Sequence, residues 1–243
     1  MSEKPQPSQK DDTERYLTQE TLLWPENVKV RHDVHTKNAP DFHAPAKGLS
    51  DVFARAACNT LGMIADLFFQ KRYGNRAIVL ETVAAIPGTV AGFHHALYSY
   101  RKIEPDNALI RTLMEEAENE RMHLRIFSEL IQPTKFERAL VYGTQFGFTI
   151  FFSLAYFLHN RTAHRFVGYI EEKAVDSYTK YLHEIDEGRI ENVPAPQIAI
   201  DYYNLPQEAR LRDVVIAVRL DEMEHRDVNH DLADGIDPLK PQP

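Results

Sequence analysis

The sequence predicts an all-α fold in which a four-helix bundle carries two additional helices. Six segments repeat apolar residues every three or four positions, as amphipathic helices do, and no segment shows the alternation of a half-buried strand. The connections are short, apart from residues 193–205, so most neighbouring helices should be antiparallel. The 243 residues, 43% of them hydrophobic, are enough to bury the core of one domain.

Turn residues and candidate caps predict the helix boundaries. The first helix begins at Leu49 and ends where Tyr73-Gly74-Asn75 interrupts the pattern, and the second contains Pro87-Gly88 as a predicted kink. The other four helices are predicted to begin near residues 107, 133, 162 and 206 and to end near residues 131, 159, 187 and 232. The predicted organisation is an extended arm over residues 1–48, a helical bundle over 49–232 and a disordered tail over 233–243.

The composition excludes several classes of function. Lys and Arg number 28 against 36 acidic residues, so the net charge is −8 and no nucleic-acid partner is expected. The single cysteine, Cys58, excludes an intramolecular disulfide and a cysteine metal cluster. The first residues contain no apolar signal segment and are too acidic for a transit peptide, so we expect no classical export.

The third and sixth helices each contain a Glu-x-x-His pair. Glu120 precedes His123 in one helix, and Glu222 precedes His225 in the other. A spacing of three residues leaves the two side chains about 60° apart on one helix face, so each pair can serve one metal site. A single pair of this kind is nevertheless common. The third helix is also generally acidic, which is typical of a solvated face. The residues concerned are Glu115, Glu116 and Glu118.

Two further helices carry a carboxylate in a mostly apolar setting. Glu81 has no opposite charge between Ala77 and Val90, and a buried carboxylate there would be costly unless it were paired or ligated. Glu171 follows the apolar run 166–170. The resulting order along the chain is Glu, Glu-x-x-His, Glu, Glu-x-x-His, which is the ligand pattern of ferritin-like di-iron bundles. Carboxylates would offset the charge of two ferrous ions, and the imidazoles would ligate iron or orient the carboxylates.

Tyr178 lies seven residues after Glu171, which is two turns along the same helix face. A tyrosine near a di-iron centre can donate a proton and an electron. On spacing alone, however, a core tyrosine with a satisfied hydroxyl is the more common outcome. The spacing therefore leaves both interpretations open.

Four stretches of the sequence resemble the alternative oxidases, the cyanide-insensitive terminal quinol oxidases, and their plastid relatives. They are residues 80–82 (LET), 119–124 (NERMHL), 169–174 (YIEEKA) and 219–225 (RLDEMEH). Lys173 stands where that family usually has Glu, and Leu220 also departs from its motif. The resemblance extends over about residues 66–230.

The resemblance implies a di-iron enzyme that oxidises ubiquinol to ubiquinone and reduces dioxygen to water without pumping protons. The implied iron ligands are Glu81, Glu120, Glu171 and Glu222, with His123 and His225 as ligands or close neighbours. Tyr178 is then the redox-active tyrosine, and Asn119 and Asp221 belong to a hydrogen-bond network around the histidines. The implied quinol-pocket residues are Arg76, Leu80, Ala174 and Ser177. The resemblance also implies a homodimer.

Two helices favour contact with one leaflet of a lipid bilayer. The first presents an apolar stripe, and the fourth is rich in aromatic residues between Phe146 and Phe157 and is followed by basic residues. The apolar run 146–158 would extend only about 20 Å, short of the ~30 Å hydrocarbon core, so a monotopic protein is predicted. A buried central helix would be equally apolar. Without the resemblance the two interpretations are nearly even.

Three other functions stay open at this point. They are a related di-iron hydroxylase such as demethoxyubiquinone hydroxylase, a ferritin-like iron store, and a bundle without metal. The apolar fourth helix argues against a store built from soluble subunits. The polar start without a targeting segment predicts the cytoplasmic face of a bacterial inner membrane, the alternative being the matrix face of the mitochondrial inner membrane.

Overall fold

The computed structural model describes residues 40–70, 72–105 and 108–236, which form six helices. In chain order these are α1 (Leu49–Phe69), α2 (Tyr73–Lys102), α3 (Leu109–Leu130), α4 (Lys135–Asp186), α5 (Gln197–Tyr203) and α6 (Leu211–Asp234). Among the described residues there is no strand, and Pro194 and Arg210 form an isolated β-bridge. The prediction of an all-α fold is therefore confirmed.

Helix α4 joins two helices that the sequence predicts separately. It extends over 52 residues, but His159 has φ −159° and ψ 81°, outside the helical region. The Nδ1 atom of His159 accepts hydrogen bonds from the backbone N–H of Thr162 (3.2 Å) and from its hydroxyl (2.8 Å). The imidazole therefore caps the helix that restarts after the kink. Residues 135–158 are called the N-terminal half of α4 below, and residues 160–186 its C-terminal half.

The break between α1 and α2 lies earlier than predicted. Gln70 leaves the helix with a φ of 50°, and α2 already begins at Tyr73. Gly74 is needed for packing, because a Cβ atom at this position would lie 1.7 Å from Cδ1 of Ile131. The glycine thus permits a close contact between α2 and the chain that follows α3, and it does not end a helix.

Helix α2 continues through Pro87-Gly88, where the sequence predicts a kink. A Cβ atom at position 88 would lie 2.4 Å from the carbonyl oxygen of Leu113, so the glycine lets α2 and α3 approach closely. This approach brings the carboxylate-bearing faces of the two helices together.

The proline-bearing connection before α6 contains the short helix α5, and α6 begins later than predicted. The backbone N–H of Ala195 donates to the carbonyl of Ala209 (2.9 Å), and that of Leu211 donates to the carbonyl of Val193 (2.8 Å). These hydrogen bonds hold residues 209–211 against residues 193–195. The first turn of α6 therefore forms at Leu211, and not near Pro206.

Four helical segments enclose the interior: α2, α3, the C-terminal half of α4, and α6. The most extensive helix contacts are those of α4 with α6 and of α2 with α3. One apolar cluster includes Phe127, Tyr178 and Val214, and a second includes Leu113 and Phe152. The functional side chains described below lie in this interior, where each of the four segments contributes one face.

Helix α1 and the N-terminal half of α4 expose apolar side chains. On α1, Phe53 is 68% exposed and Leu67 is 79% exposed, and on α4 the values are 72% for Phe146 and 76% for Phe157. By length and composition alone, α1, α2 and α4 could each cross a membrane. The run 146–158 taken by itself therefore underestimates the apolar length of α4.

Part of the predicted arm lies against the bundle. The backbone N–H of Ala44 donates to Oε1 of Glu172 (2.8 Å), and Nδ1 of His43 is 3.0 Å from Oε2 of the same carboxylate. Lys47 forms an ion pair of 2.7 Å with Asp234 at the end of α6. Residues 1–39 and 237–243, which include the rest of the predicted arm and most of the predicted tail, lie outside the described residues.

Candidate metal centre

Six carboxylate and imidazole side chains converge in the interior of the bundle. Each has a relative exposure between 0% and 6%. They are Glu81 from α2, Glu120 and His123 from α3, Glu171 from the C-terminal half of α4, and Glu222 and His225 from α6. The structure thus brings together all six residues that the sequence selects as metal ligands, and the two Glu-x-x-His pairs each present both side chains inwards.

The six residues form two overlapping groups. The first group contains Glu81, Glu120, His123 and Glu222, and the second contains Glu120, Glu171, Glu222 and His225. Within each group the candidate ligand atoms all lie within 4.8 Å of one another. Because Glu120 and Glu222 belong to both groups, the arrangement suits two metal ions that share two carboxylates.

The two imidazoles point their Nδ1 atoms at the carboxylates. Nδ1 of His123 is 3.3 Å from Glu222 and 3.5 Å from both Glu81 and Glu120. Nδ1 of His225 is 2.8 Å from Glu120. Burial by itself would lower the pKa of His123, but the hydrogen bond with Asp221 and the closeness of the three glutamate carboxylates outweigh it and raise that pKa well above its usual value.

Buried polar atoms at this site lack hydrogen-bond partners among the described residues. Examples are Oε2 of Glu81, Oε2 of Glu120 and Nδ1 of His123. A buried carboxylate or imidazole without a partner is costly unless a cation binds it. Carboxylate and imidazole are suitable ligands for iron and similar transition metals. The residues present therefore fit a centre of two metal ions.

Asp221 connects the site with α5 and α3. Its Oδ2 atom lies 3.1 Å from Nε2 of His123 and accepts hydrogen bonds from the Tyr203 hydroxyl (2.7 Å) and the Asn119 amide (2.8 Å). Burial raises the pKa of Asp221, but the hydrogen bond with His123 and the other contacts lower it below its usual value. The ionised carboxylate can accept a hydrogen bond from Nε2–H of His123, so Nδ1 is the nitrogen that would bind a metal ion in place of its proton.

Tyr178 contacts the ligand set from the C-terminal half of α4. Its side chain is 5% exposed, and its hydroxyl donates a hydrogen bond to Oε1 of Glu81. The ring stacks on Phe127 with the centroids 5.8 Å apart. The spacing from Glu171 predicts only that Tyr178 faces the interior. Its contact with a ligand on another helix depends on the packing of α2 against α4.

Glu116 is a buried residue that the sequence analysis misplaces on a solvated face. It is 6% exposed, whereas Glu115 and Glu118 are exposed and pair with arginines. Burial raises the pKa of Glu116 to about 7, although the neighbouring His225 acts in the opposite direction. Asn229 donates its amide to both carboxylate oxygens (3.0 and 3.1 Å). The available signal is spacing, since Glu116 precedes Glu120 by four residues on the same face.

An apolar pocket reaches the site from the side of α1 and α4. Its cavity of about 310 Å³ ends at Glu81, Glu120 and Glu222. The residues that the resemblance assigns to the quinol pocket all line it: Arg76, Leu80, Ala174 and Ser177. Its other walls include Leu61 and Phe68 of α1, the helix with the exposed apolar face. An apolar ligand therefore has a route from this face to the carboxylates.

Curated proteins similar to this chain include three plant mitochondrial oxidases. Ubiquinol oxidase 2 of Nicotiana tabacum is 53% identical over 188 residues, which cover 77% of this chain and 63% of the relative. The ubiquinol oxidase of Mangifera indica is 52% identical, with 79% of this chain and 60% of the relative covered. Ubiquinol oxidase 2 of Glycine max is 47% identical, with 87% and 64% covered.

These comparisons correct the predicted location. All three relatives are named as mitochondrial proteins and come from plants, so the prediction of a bacterial inner membrane is wrong. The absence of an apolar leader in the first residues is no guide here. The chain spans about three fifths of the length of these relatives, as 63%, 60% and 64% of them are covered.

A sequence model of one family matches most of the chain. The match extends over residues 32–234, and the family is described as alternative oxidase. The matched range includes all six inward-facing carboxylates and imidazoles, the network around Asp221 and the residues that line the apolar pocket. The chain belongs to the alternative oxidase family.

Proposed function

We propose that this chain is a membrane-bound ubiquinol oxidase that reduces dioxygen to water at two iron ions without pumping protons. The observation that carries the proposal is the pair of buried, overlapping carboxylate–imidazole groups at the end of an apolar pocket. The names of the relatives, which are ubiquinol oxidases, support the choice of substrate. The products are ubiquinone and water, and two ubiquinol molecules supply the four electrons that dioxygen needs.

The two overlapping groups would hold the two iron ions. Glu120 and Glu222 would be shared between them. Glu81 and His123 would complete one ion's ligands, and Glu171 and His225 those of the other. When bound, the irons take electrons from the quinol and deliver them to dioxygen. The protein supplies a dry interior whose four carboxylates offset the charge of two ferrous ions.

Tyr178 is proposed to take part in the redox chemistry. Reduction of dioxygen to water needs four electrons, whereas one ubiquinol supplies only two. A phenol hydrogen-bonded to Glu81 can lend an electron and pass its proton toward that carboxylate while a second quinol binds. Asn119 and Asp221 are proposed to act through His123, because Asp221 fixes the proton on Nε2 and Asn119 orients Asp221.

The apolar pocket is the proposed quinol site. Leu80 and Ala174 line it with apolar surface, and Ser177 offers a hydroxyl close to Tyr178 in sequence. Arg76 is 9% exposed and pairs with Asp66, which fixes the guanidinium at the pocket wall. The quinol head group would enter with its ring toward Glu81, and its isoprenoid tail would remain among the apolar side chains of α1 and α4.

We propose that the protein lies in one leaflet, with α1 and the N-terminal half of α4 against the lipid. Each segment has one side on the bundle and the other side exposed. Phe152 and Tyr156 of α4 are buried, whereas Phe146 and Phe157 are exposed, and Ala54 and Cys58 of α1 are buried beside its exposed stripe. A side-on position suits such helices better than a span surrounded by lipid. The names of the relatives support a mitochondrial location, and we propose the matrix face of the inner membrane.

A homodimer is part of the proposal. Apolar side chains are also exposed at the end of α2 and on α3, where Tyr100 is 75%, Ile103 is 92% and Met114 is 44% exposed. A contact between two copies would remove this surface from water. Native mass measurement of the detergent-solubilised protein tests it, and a monomer at all concentrations would contradict it.

The proposed activity is tested by quinol-dependent oxygen uptake in the presence of cyanide, using membranes that contain the protein. Wild-type protein should consume oxygen, convert quinol to quinone and contain two irons per chain. Glu120→Ala should lose its iron and reduce the rate at least 100-fold, because both groups lose a shared ligand. The matched control is Glu118→Ala, two residues away on α3, which removes an exposed carboxylate paired with Arg121.

Three outcomes would contradict the proposal. Full activity of Glu120→Ala would exclude the assigned ligands. An oxygenated quinone ring as the product would identify a hydroxylase. Wild-type protein without bound iron would leave the carboxylates as structural groups.

A further inference from the structure

A lysine side chain stands at the mouth of the apolar pocket. Lys173 lines the pocket and is also exposed to the outside, so it marks the opening. Its Cδ and Cε atoms lie 3.9 and 4.0 Å from where a Cβ atom at Gly62 of α1 would be. The aliphatic stem therefore rests on α1, and the ammonium lies where α1 and the C-terminal half of α4 meet.

The charge of Lys173 is not compensated among the described residues. No carboxylate there forms an ion pair or hydrogen bond with its ammonium. The second cation of the pocket, Arg76, is paired with Asp66. The carboxylates that line the pocket are those of the metal centre at its deep end, namely Glu81, Glu120, Glu171 and Glu222. The mouth therefore carries one free positive charge.

The rest of the pocket lining is largely apolar. Leu61, Ala65 and Phe148 are among its residues. A ring bound in the pocket would displace water from the side of the ammonium that faces it, so the cation would attract an anion on that ring more strongly than an anion in bulk water. A neutral ring of the same shape gains no comparable ion pair.

We propose that Lys173 lets the pocket bind a second class of ligand, an aromatic ring with an anionic substituent, in addition to the neutral quinol. The pocket then binds a ring that carries a carboxylate more tightly than a neutral ring of the same shape. The inference rests on the proposed function, because it takes the apolar pocket as the quinol site.

The test compares two probes of nearly equal shape, an alkylated dihydroxybenzoic acid and its carboxamide. Equilibrium binding of each is measured on the purified, iron-loaded protein in detergent. Lys173→Gln should weaken binding of the acid roughly 10- to 100-fold, the loss expected for one charge-assisted contact, and should change binding of the carboxamide less than about twofold. Lys173→Arg should retain most of the preference for the acid. Lys180→Gln is the matched control, since Lys180 is an exposed lysine of the same helix that does not line the pocket.

Equal effects of Lys173→Gln on both probes, or no effect on either, would overturn the inference. So would a wild-type protein that binds neither probe, or an equal loss in Lys180→Gln. Oxygen uptake with ubiquinol is measured on the same preparations. Active protein without charge discrimination would contradict this inference alone. Charge discrimination in protein that consumes no oxygen would contradict the proposed oxidase activity and leave the role of Lys173 in binding intact.

Discussion

The N-terminal half of α4 exposes large apolar side chains, whereas the C-terminal half buries charged ones. In the N-terminal half, Phe146 and Phe157 are 72% and 76% exposed. In the C-terminal half, Arg165 and Glu171 are 1% and 3% exposed. The two halves are continuous in the chain and are separated by the kink at His159. Hydropathy alone therefore does not decide which side chains of α4 are buried. If water surrounded the whole helical bundle, the hydrophobic effect would favour buried phenylalanines and exposed charged side chains.

Each half needs a different partner to be stable. The buried polar groups of the C-terminal half are hydrogen-bonded: His164 lies 2.9 Å from Asn229 and 3.0 Å from the Tyr156 hydroxyl. Arg165 forms an ion pair with Asp51 (3.5 Å), and its Nη1 atom lies within hydrogen-bond distance of Nδ1 of His230 (2.9 Å). The exposed Phe146 and Phe157 of the N-terminal half can make no such contact and are more stable against an apolar medium than in water. The comparison thus supports a lipid-facing half and a metal-binding half within one helix.

The largest expected effect concerns the metal-binding half. Tyr178→Phe should nearly abolish quinol oxidase turnover, by about 100-fold or more, while two irons remain bound, because the hydroxyl on Glu81 is lost and the ligands are unchanged. A purely structural tyrosine predicts only a lost hydrogen bond, about 1 kcal/mol of stability. The measurement is turnover and iron content on one preparation.

Tyr169→Phe is the control for this prediction. Tyr169 is a buried tyrosine of the same half of α4 that does not line the pocket, and its hydroxyl accepts a hydrogen bond from Arg55 (3.2 Å). The turnover of this variant should stay within about twofold of wild type, as expected when the lost hydroxyl contributes to stability alone. Wild-type turnover in Tyr178→Phe would show that Tyr178 is an ordinary core residue. Glu171 would then be the residue through which the C-terminal half of α4 contributes to the reaction.

A smaller effect is expected when the lipid-facing half is made polar. The double variant Phe146→Glu, Phe157→Glu should bind phospholipid vesicles at least tenfold more weakly, since burial of each phenylalanine contributes about 1.5–3 kcal/mol. Its iron content should not change. Lys180→Glu, in the other half, alters the net charge by the same amount and should bind vesicles like wild type. If the double variant binds vesicles as tightly as wild type, the N-terminal half of α4 does not face lipid.

Sequence reasoning recovers the parts of this protein that depend on local pattern. The helices follow from apolar periodicity, and the inward faces of Glu120 and His123 follow from their spacing. The break at His159 lies between the predicted helix end near residue 159 and the predicted start near residue 162. The break at Gln70 could not be predicted, because Gly74 is fixed in its helix by contact with Ile131. Such contacts depend on how helices pack, which the linear pattern does not encode.

Burial of individual charges is the other feature that the sequence does not reveal. Glu115, Glu116 and Glu118 look alike in the chain, yet only Glu116 of the three is buried. Asn229 of α6 makes the difference, because its amide meets both oxygens of the Glu116 carboxylate. The choice among neighbouring acidic residues thus comes from a residue more than a hundred positions away.

The smallest expected effect concerns the stability that buried polar groups contribute around the C-terminal half of α4. Glu116 ends the hydrogen-bond chain that runs from His164 through Asn229, and its pKa is raised from 4.5 to about 7 in the fold. The folded state therefore holds the proton more tightly than the unfolded chain. The stability this contributes is complete below pH 4.5 and is lost as the pH rises through about 7. The shift corresponds to about 3 kcal/mol at most.

Glu116→Gln should flatten this dependence, because the amide is neutral at every pH and still accepts a hydrogen bond from Asn229. In chelator-treated protein, where no bound cation lowers the pKa of the carboxyl, the wild-type Tm should fall by a few degrees more than the variant's between pH 5 and pH 8. Glu115→Gln, at the exposed neighbouring position, should follow the wild-type profile. Parallel profiles for wild type and Glu116→Gln would mean that Glu116 is ionised in the fold, and that Asn229 and its neighbours stabilise a buried charge.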